Sequence, residues 1–234
     1  MQTTTITEQI SFSSGPLRLS GILTYPSDRE PERSILLCSP HPHFAGDMEN
    51  NVIQYLADYF AKDSVTLRFD YRGVGKSRID LPSGTSVFDY WQEVEDNMNY
   101  RDALIDVQSA GKELLESTQS LPCIVVGYSF GVATGFQYGI KAEPISILIG
   151  IAPPIGKVDF DFLHACTKPC LIISGKDDFI YTTDQLEKFN LSYKTRATTD
   201  VWENSDHFFR GEEEKLAIAI ESFIYEKLNG TGKG

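Results

Sequence analysis

The sequence is poor in cysteine, short of positive charge and without any long apolar run. No stretch reaches the ~18 apolar residues of a membrane span, and Met1-Gln2-Thr3-Thr4-Thr5 lacks the basic flank and apolar segment of a secretory signal. A cytoplasmic protein that neither crosses nor binds a membrane is therefore expected. The four cysteines, Cys38, Cys123, Cys166 and Cys170, are scattered, and three lie in or beside apolar runs, so they read as reduced core thiols. Cys166 and Cys170 are too widely spaced for a Cys-x-x-Cys redox pair. No His or Cys cluster near them has zinc spacing, so no metal or other cofactor is expected. With 21 basic residues against 33 acidic ones the net charge is -12. That field repels phosphate backbones and excludes nucleic acid as an expected partner. The acidity itself reads as a solvated surface.

What the chain does have is a regular alternation of short apolar runs and longer amphipathic stretches, the pattern of a mostly parallel sheet covered on both faces by helices. Its 234 residues fit one domain, placed at 1–229, with a frayed tail at 230–234. Segments 34–38, 65–69, 123–126, 145–149 and 171–174 read as buried strands, and 197–202, less apolar, as an edge strand. Ahead of them, 10–25 alternates around Ser14-Gly15-Pro16 and predicts an antiparallel hairpin. Helical spacing marks 51–62, the long stretch 87–117, 132–141, 186–190 and 215–228. A mixed sheet of about eight strands follows. Segment 153–168 has no clear period and reads as a surface connection, with a short lid as the alternative.

Within this frame the pentapeptide Gly127-Tyr128-Ser129-Phe130-Gly131 falls where a β-branched strand runs into a helix. In that context the glycines permit a tight, strained turn that projects the Ser129 hydroxyl above the sheet as a nucleophile. A serine hydroxyl needs a base, and imidazole titrates in the right range. His207, in Ser205-Asp206-His207-Phe208-Phe209 between the last strand and the last helix, occupies the place for it; His164 lies too near the 153–168 connection to compete. The acid that orients the base should follow strand 171–174, where Gly175-Lys176-Asp177-Asp178 offers two carboxylates. Spacing from Gly175 favours Asp178 over Asp177, and Asp206 would point away from the neighbouring imidazole.

An oxyanion needs preorganised N–H donors. One should be the Phe130 amide, the residue after the nucleophile. The other should come from Ser39-Pro40-His41-Pro42-His43-Phe44-Ala45-Gly46. The two prolines have no N–H, which points to His43 or Phe44, with His43 preferred.

Together, Pro40-His41-Pro42, Gly46-Asp47-Met48-Glu49-Asn50, Leu67-Arg68-Phe69-Asp70-Tyr71-Arg72-Gly73-Val74-Gly75-Lys76-Ser77, Gly127-Tyr128-Ser129-Phe130-Gly131 and Asp206-His207-Phe208-Phe209 span both halves of the chain. In these segments the chain resembles the small, nearly lidless α/β-hydrolases of bacterial type that carry a His-Pro-His-Pro loop. The resemblance implies an α/β-hydrolase fold with little or no cap domain, an esterase-like serine hydrolase without a cofactor, and a triad of Ser129, Asp178 and His207. The chain departs from that pattern at Ser39, in place of the first histidine, and at His43, in place of an apolar residue. Both departures are expected to face the substrate.

The expected activity is hydrolysis of a carboxylic ester or thioester through an acyl-enzyme, on a small-molecule acyl substrate. Two alternatives stay open: a thioesterase or acyltransferase acting on carrier-bound chains in natural-product biosynthesis, and a non-hydrolytic catalyst or binding protein on the same scaffold.

Overall fold

The computed structural model describes residues 4–44, 46–119 and 121–229; the expected tail at 230–234 lies outside the described residues. Eight strands form one sheet: β1 (Thr5–Ser14), β2 (Leu17–Pro26), β3 (Arg33–Cys38), β4 (Ser64–Phe69), β5 (Cys123–Tyr128), β6 (Ile145–Ile151), β7 (Cys170–Gly175) and β8 (Thr198–Trp202). Their spatial order is β1-β2-β4-β3-β5-β6-β7-β8. The β1–β2 and β2–β4 pairings are antiparallel and all the others parallel, so β2 alone runs against the rest.

Helices α1 (Asn51–Phe60) and α6 (Glu213–Asn229) pack on one face of the sheet. Helices α2 (Val87–Asp96), α3 (Arg101–Thr118), α4 (Phe130–Lys141) and α5 (Thr183–Tyr193) cover the other. A strand covered on both faces favours apolar residues on both sides of the pleat, and the Ile35–Cys38 and Cys123–Val126 runs of β3 and β5 show it. Ile35 and Leu37 point to α1 and α6, whereas Leu36 and Cys38 point to the opposite core. Likewise Ile124 and Val126 face one layer and Cys123 and Val125 the other. All four cysteines are free and buried.

Helix α5 is longer than the expected 186–190, and two further elements differ from the sequence reading. The hairpin extends well beyond 10–25, because Thr5 pairs with Pro26 at the open end of the ladder. The stretch 87–117 is two helices rather than one. α2 is opened by a capping box between Ser86 and Asp89, and the chain breaks at Met98, whose φ is 48°. The Asn97 and Asn99 amides there bond back to the Glu93 and Val94 carbonyls. No Gly or Pro marks that break; asparagine-flanked left-handed backbone makes it. No cap domain is present among the described residues, and none of their helices is long and apolar enough to cross a membrane.

Candidate active site

The C-terminal ends of β5, β7 and β8 converge, and each delivers one polar side chain. At β5 the chain turns so sharply into α4 that a Cβ on Gly127 would lie 2.3 Å from the Gly131 carbonyl oxygen, and one on Gly131 would lie 2.0 Å from that of Cys38. Between them Ser129 adopts φ 53° and ψ -117°, a left-handed backbone that a non-glycine residue holds only under strain from its surroundings. Ser129 sits at the N-cap of α4, yet its hydroxyl caps no helix amide. It hydrogen-bonds His207 Nε2 at 3.0 Å instead.

The β7 and β8 ends are stitched together so that His207 and Asp178 meet. Lys176 N–H bonds the Trp202 carbonyl at 3.0 Å and Asp177 N–H the Ser205 carbonyl at 3.0 Å. A side chain at Gly175 would strike the Ser205 carbonyl at 2.3 Å, so glycine there lets the β8–α6 loop lie against the acid-bearing turn. Across it, His207 Nδ1 stands 2.7 Å from Asp178 Oδ2. An ionised carboxylate only accepts, so Nδ1 carries the proton and Nε2 presents its lone pair to the Ser129 hydroxyl. Asp178 is 4% exposed, and its other oxygen accepts the Ile180 amide. Asp177 is exposed, Asp206 accepts the Phe208 amide, and the His164 ring packs against Tyr193.

Tyr128 tethers the His207 backbone: its hydroxyl donates to the His207 carbonyl at 2.9 Å. Burial, with Asp178 nearby, raises the phenol pKa, which keeps Tyr128 a donor.

The oxyanion loop differs from expectation. Residues Pro42–Phe44 form a 3-10 turn that commits both expected amides: His43 N–H points at His41 Nδ1 at 3.3 Å, and Phe44 N–H bonds the His41 carbonyl at 2.8 Å. The His43 ring stacks on Phe88 at 4.2 Å, away from Ser129, and lines a separate recess. His43 is thereby corrected as the second donor. Among the described residues, the Phe130 amide, at the first turn of α4, and the His41 amide have no hydrogen-bond acceptor. Elimination by proline content had passed over His41. Its loop is drawn against the nucleophile turn by the Gly131 contact with Cys38 and Ser39.

A cavity of about 150 Å³ opens above Ser129. Its walls are mainly apolar, from Phe44, Phe130, Val158, Phe179 and Ile180, with Glu95 and Lys157 as charged groups and His41 alongside. Ser39 and His43 do not line it, so neither departure from the family pattern faces this cavity. Pro154, Lys157 and Val158 do line it, which makes part of 153–168 a cavity wall. Arg72 belongs to the scaffold: its guanidinium bonds both Asp106 carboxylate oxygens, at 3.0 and 2.8 Å, and pairs with Asp102 at 2.7 Å. Among the described residues no group of three His, Cys, Asp or Glu side chains is arranged to hold a metal ion.

No protein-family model matches the sequence. An uncharacterised protein of Rickettsia prowazekii is 27% identical over 230 residues, covering 92% of this chain and 88% of that protein. A proposed α/β-hydrolase of unknown function from Agrobacterium tumefaciens superposes with a TM-score of 0.79 at 28% identity, over 95% of this chain and 97% of that one. A lidless α/β serine hydrolase from Xanthomonas campestris superposes with a TM-score of 0.76 at 20% identity, over 94% of each chain. The eight-stranded, mostly parallel sheet, its two helical layers and these neighbours establish that the chain has the α/β-hydrolase fold.

Proposed function

We propose that the protein is a serine hydrolase that cleaves a carboxylic ester or thioester through an acyl-enzyme. The observation that carries this reading is the continuous hydrogen-bonded line from Asp178 Oδ2 to His207 Nδ1 at 2.7 Å and from His207 Nε2 to Ser129 Oγ at 3.0 Å. Oriented by Asp178, His207 takes the Ser129 proton as Oγ attacks the carbonyl carbon, then returns it to the departing alcohol or thiol. The tetrahedral oxyanion is received by the Phe130 and His41 amides, aided by the positive end of the α4 dipole. Water activated by the same imidazole then releases the acid. The description of similar structures as serine hydrolases supports the reading.

A cavity of about 150 Å³ suits a short acyl or alcohol group better than a long carrier-bound chain. Initial rates on matched p-nitrophenyl esters and acyl thioesters of two to eight carbons test this. Turnover of the short esters that Ser129→Ala abolishes supports it; preference for thioesters by orders of magnitude favours the thioesterase alternative. Full activity in Ser129→Ala refutes covalent catalysis by this residue.

A further inference from the structure

The cavity wall contains a buried imidazole whose side chain the hydrolytic steps leave unused. His41 is 4% exposed, and burial, reinforced by the neighbouring His43, lowers its pKa to about 4, so the ring is neutral near pH 7. Its Nδ1 accepts the His43 amide at 3.3 Å, which puts the proton of the neutral ring on Nε2. That N–H is buried and has no hydrogen-bond partner among the described residues. Glu95 Oε2 stands 3.8 Å away, beyond hydrogen-bond distance. Edge-on Trp91 and Phe130 rings, with centroids 5.3 and 5.1 Å from that of His41, hold the imidazole in place. His41 and Glu95 both line the cavity that contains Ser129.

A buried donor left unpaired loses its hydration without compensation, so one held rigidly beside a cavity signals a partner that arrives with the ligand. The chemistry of that partner is narrow. A substrate carboxylate or phosphate would satisfy His41 and be repelled by Glu95. An ammonium group would satisfy Glu95 and leave His41 unpaired, and a ketone or ether would do the reverse. A hydroxyl accepts from Nε2–H and donates to the carboxylate, completing both groups at once. The Glu95 side chain is 41% exposed, so rotation of its outer torsions opens room for an oxygen between the two.

We propose that His41 and Glu95 read a hydroxyl group on the substrate, so that hydroxy-substituted esters are the preferred substrates of the Ser129 site. This rests on the hydrolase reading above. The cavity's small volume places that hydroxyl close to the scissile carbonyl, on its acyl or its alcohol side.

The test is kcat/KM for matched pairs: p-nitrophenyl esters of hydroxy acids with two to four carbons against their deoxy counterparts, and acetates of short diols against those of the mono-alcohols. The wild type should prefer the hydroxylated member in one of the two arms by about 10-fold or more, the scale of one net hydrogen bond. Glu95→Leu and His41→Phe should bring that ratio towards one, chiefly by raising KM for the hydroxylated ester. Because Glu95 is substantially exposed, Glu95→Leu preserves the test even if His41→Phe misfolds. No preference in either arm, or a preference unchanged by Glu95→Leu, overturns the proposal, as when the gap between the two groups merely holds water. Those outcomes leave hydrolysis by Ser129 intact, whereas hydrolysis that survives Ser129→Ala overturns the underlying reading.

Discussion

The Tyr128 hydroxyl donates a 2.9 Å hydrogen bond to the His207 carbonyl, so the residue that precedes Ser129 also tethers the backbone of the histidine that Ser129 bonds. The two loops meet through a side chain on β5 rather than through a shared strand. Removing the hydroxyl in Tyr128→Phe leaves a buried carbonyl unpaired, a loss of roughly 1–3 kcal/mol. The expected outcome is a lower midpoint in urea together with a several-fold fall in kcat and little change in KM. A variant with unaltered kcat would show that the tether has no part in positioning His207.

Asp178 fixes the tautomer of His207 through the Oδ2–Nδ1 contact of 2.7 Å. Asp178→Asn offers an amide that can donate to Nδ1 and so present the wrong ring nitrogen to Ser129, and kcat should fall on the order of 10³–10⁴-fold. Asp177→Asn, one residue away and exposed, should change kcat less than two-fold. Steady-state kinetics of the two variants side by side checks the assignment.

The Arg72–Asp106 pair tests the scaffold rather than the chemistry. Asp106 is fully buried, and besides Arg72 it accepts the Ser14 hydroxyl at 2.7 Å. Arg72→Met strands that carboxylate, and loss of one partner from a buried pair costs about 3–5 kcal/mol. Equilibrium unfolding in urea should register a drop of that order, while Asp106→Asn in the Arg72→Met background should recover part of it.

His41 sets a pH dependence of stability. Its pKa is lowered to about 4 by burial and by His43, against ~6.5 for an unperturbed imidazole in the unfolded chain. Between those values the unfolded state binds the extra proton, so this residue's contribution is present above about pH 6.5 and declines as pH falls towards about 4. Unfolding free energies of wild type and His41→Phe across pH 4–7 should therefore differ in slope, with the wild type losing more on acidification.

The fold was legible because its signals are local. Uninterrupted apolar runs at β3 and β5, paired with amphipathic helices, specify a doubly covered parallel sheet, and a strand running into Gly127 specifies the turn at Ser129. His207 was legible from chain order. Between Asp177 and Asp178 spacing gave only a preference, since the choice depends on the Gly175–Ser205 contact between loops distant in sequence. His43 was misread for a similar reason: Pro42–Phe44 closes a 3-10 turn that uses the His43 and Phe44 amides internally. Counting prolines shows which residues lack an N–H, but says nothing of which N–H groups are already bonded. The break at Met98 escaped notice because no glycine or proline announces it.

Covalent catalysis by Ser129 is decided by intact-protein mass spectrometry after rapid acid quench with a pool of short esters, followed by peptide mapping. A single acyl mass increment on the peptide carrying Ser129, prolonged in His207→Ala if that variant still acylates and absent from Ser129→Ala, is the predicted result. Ester turnover by the wild type with no adduct at any quench time, or an adduct that persists in Ser129→Ala, would contradict it.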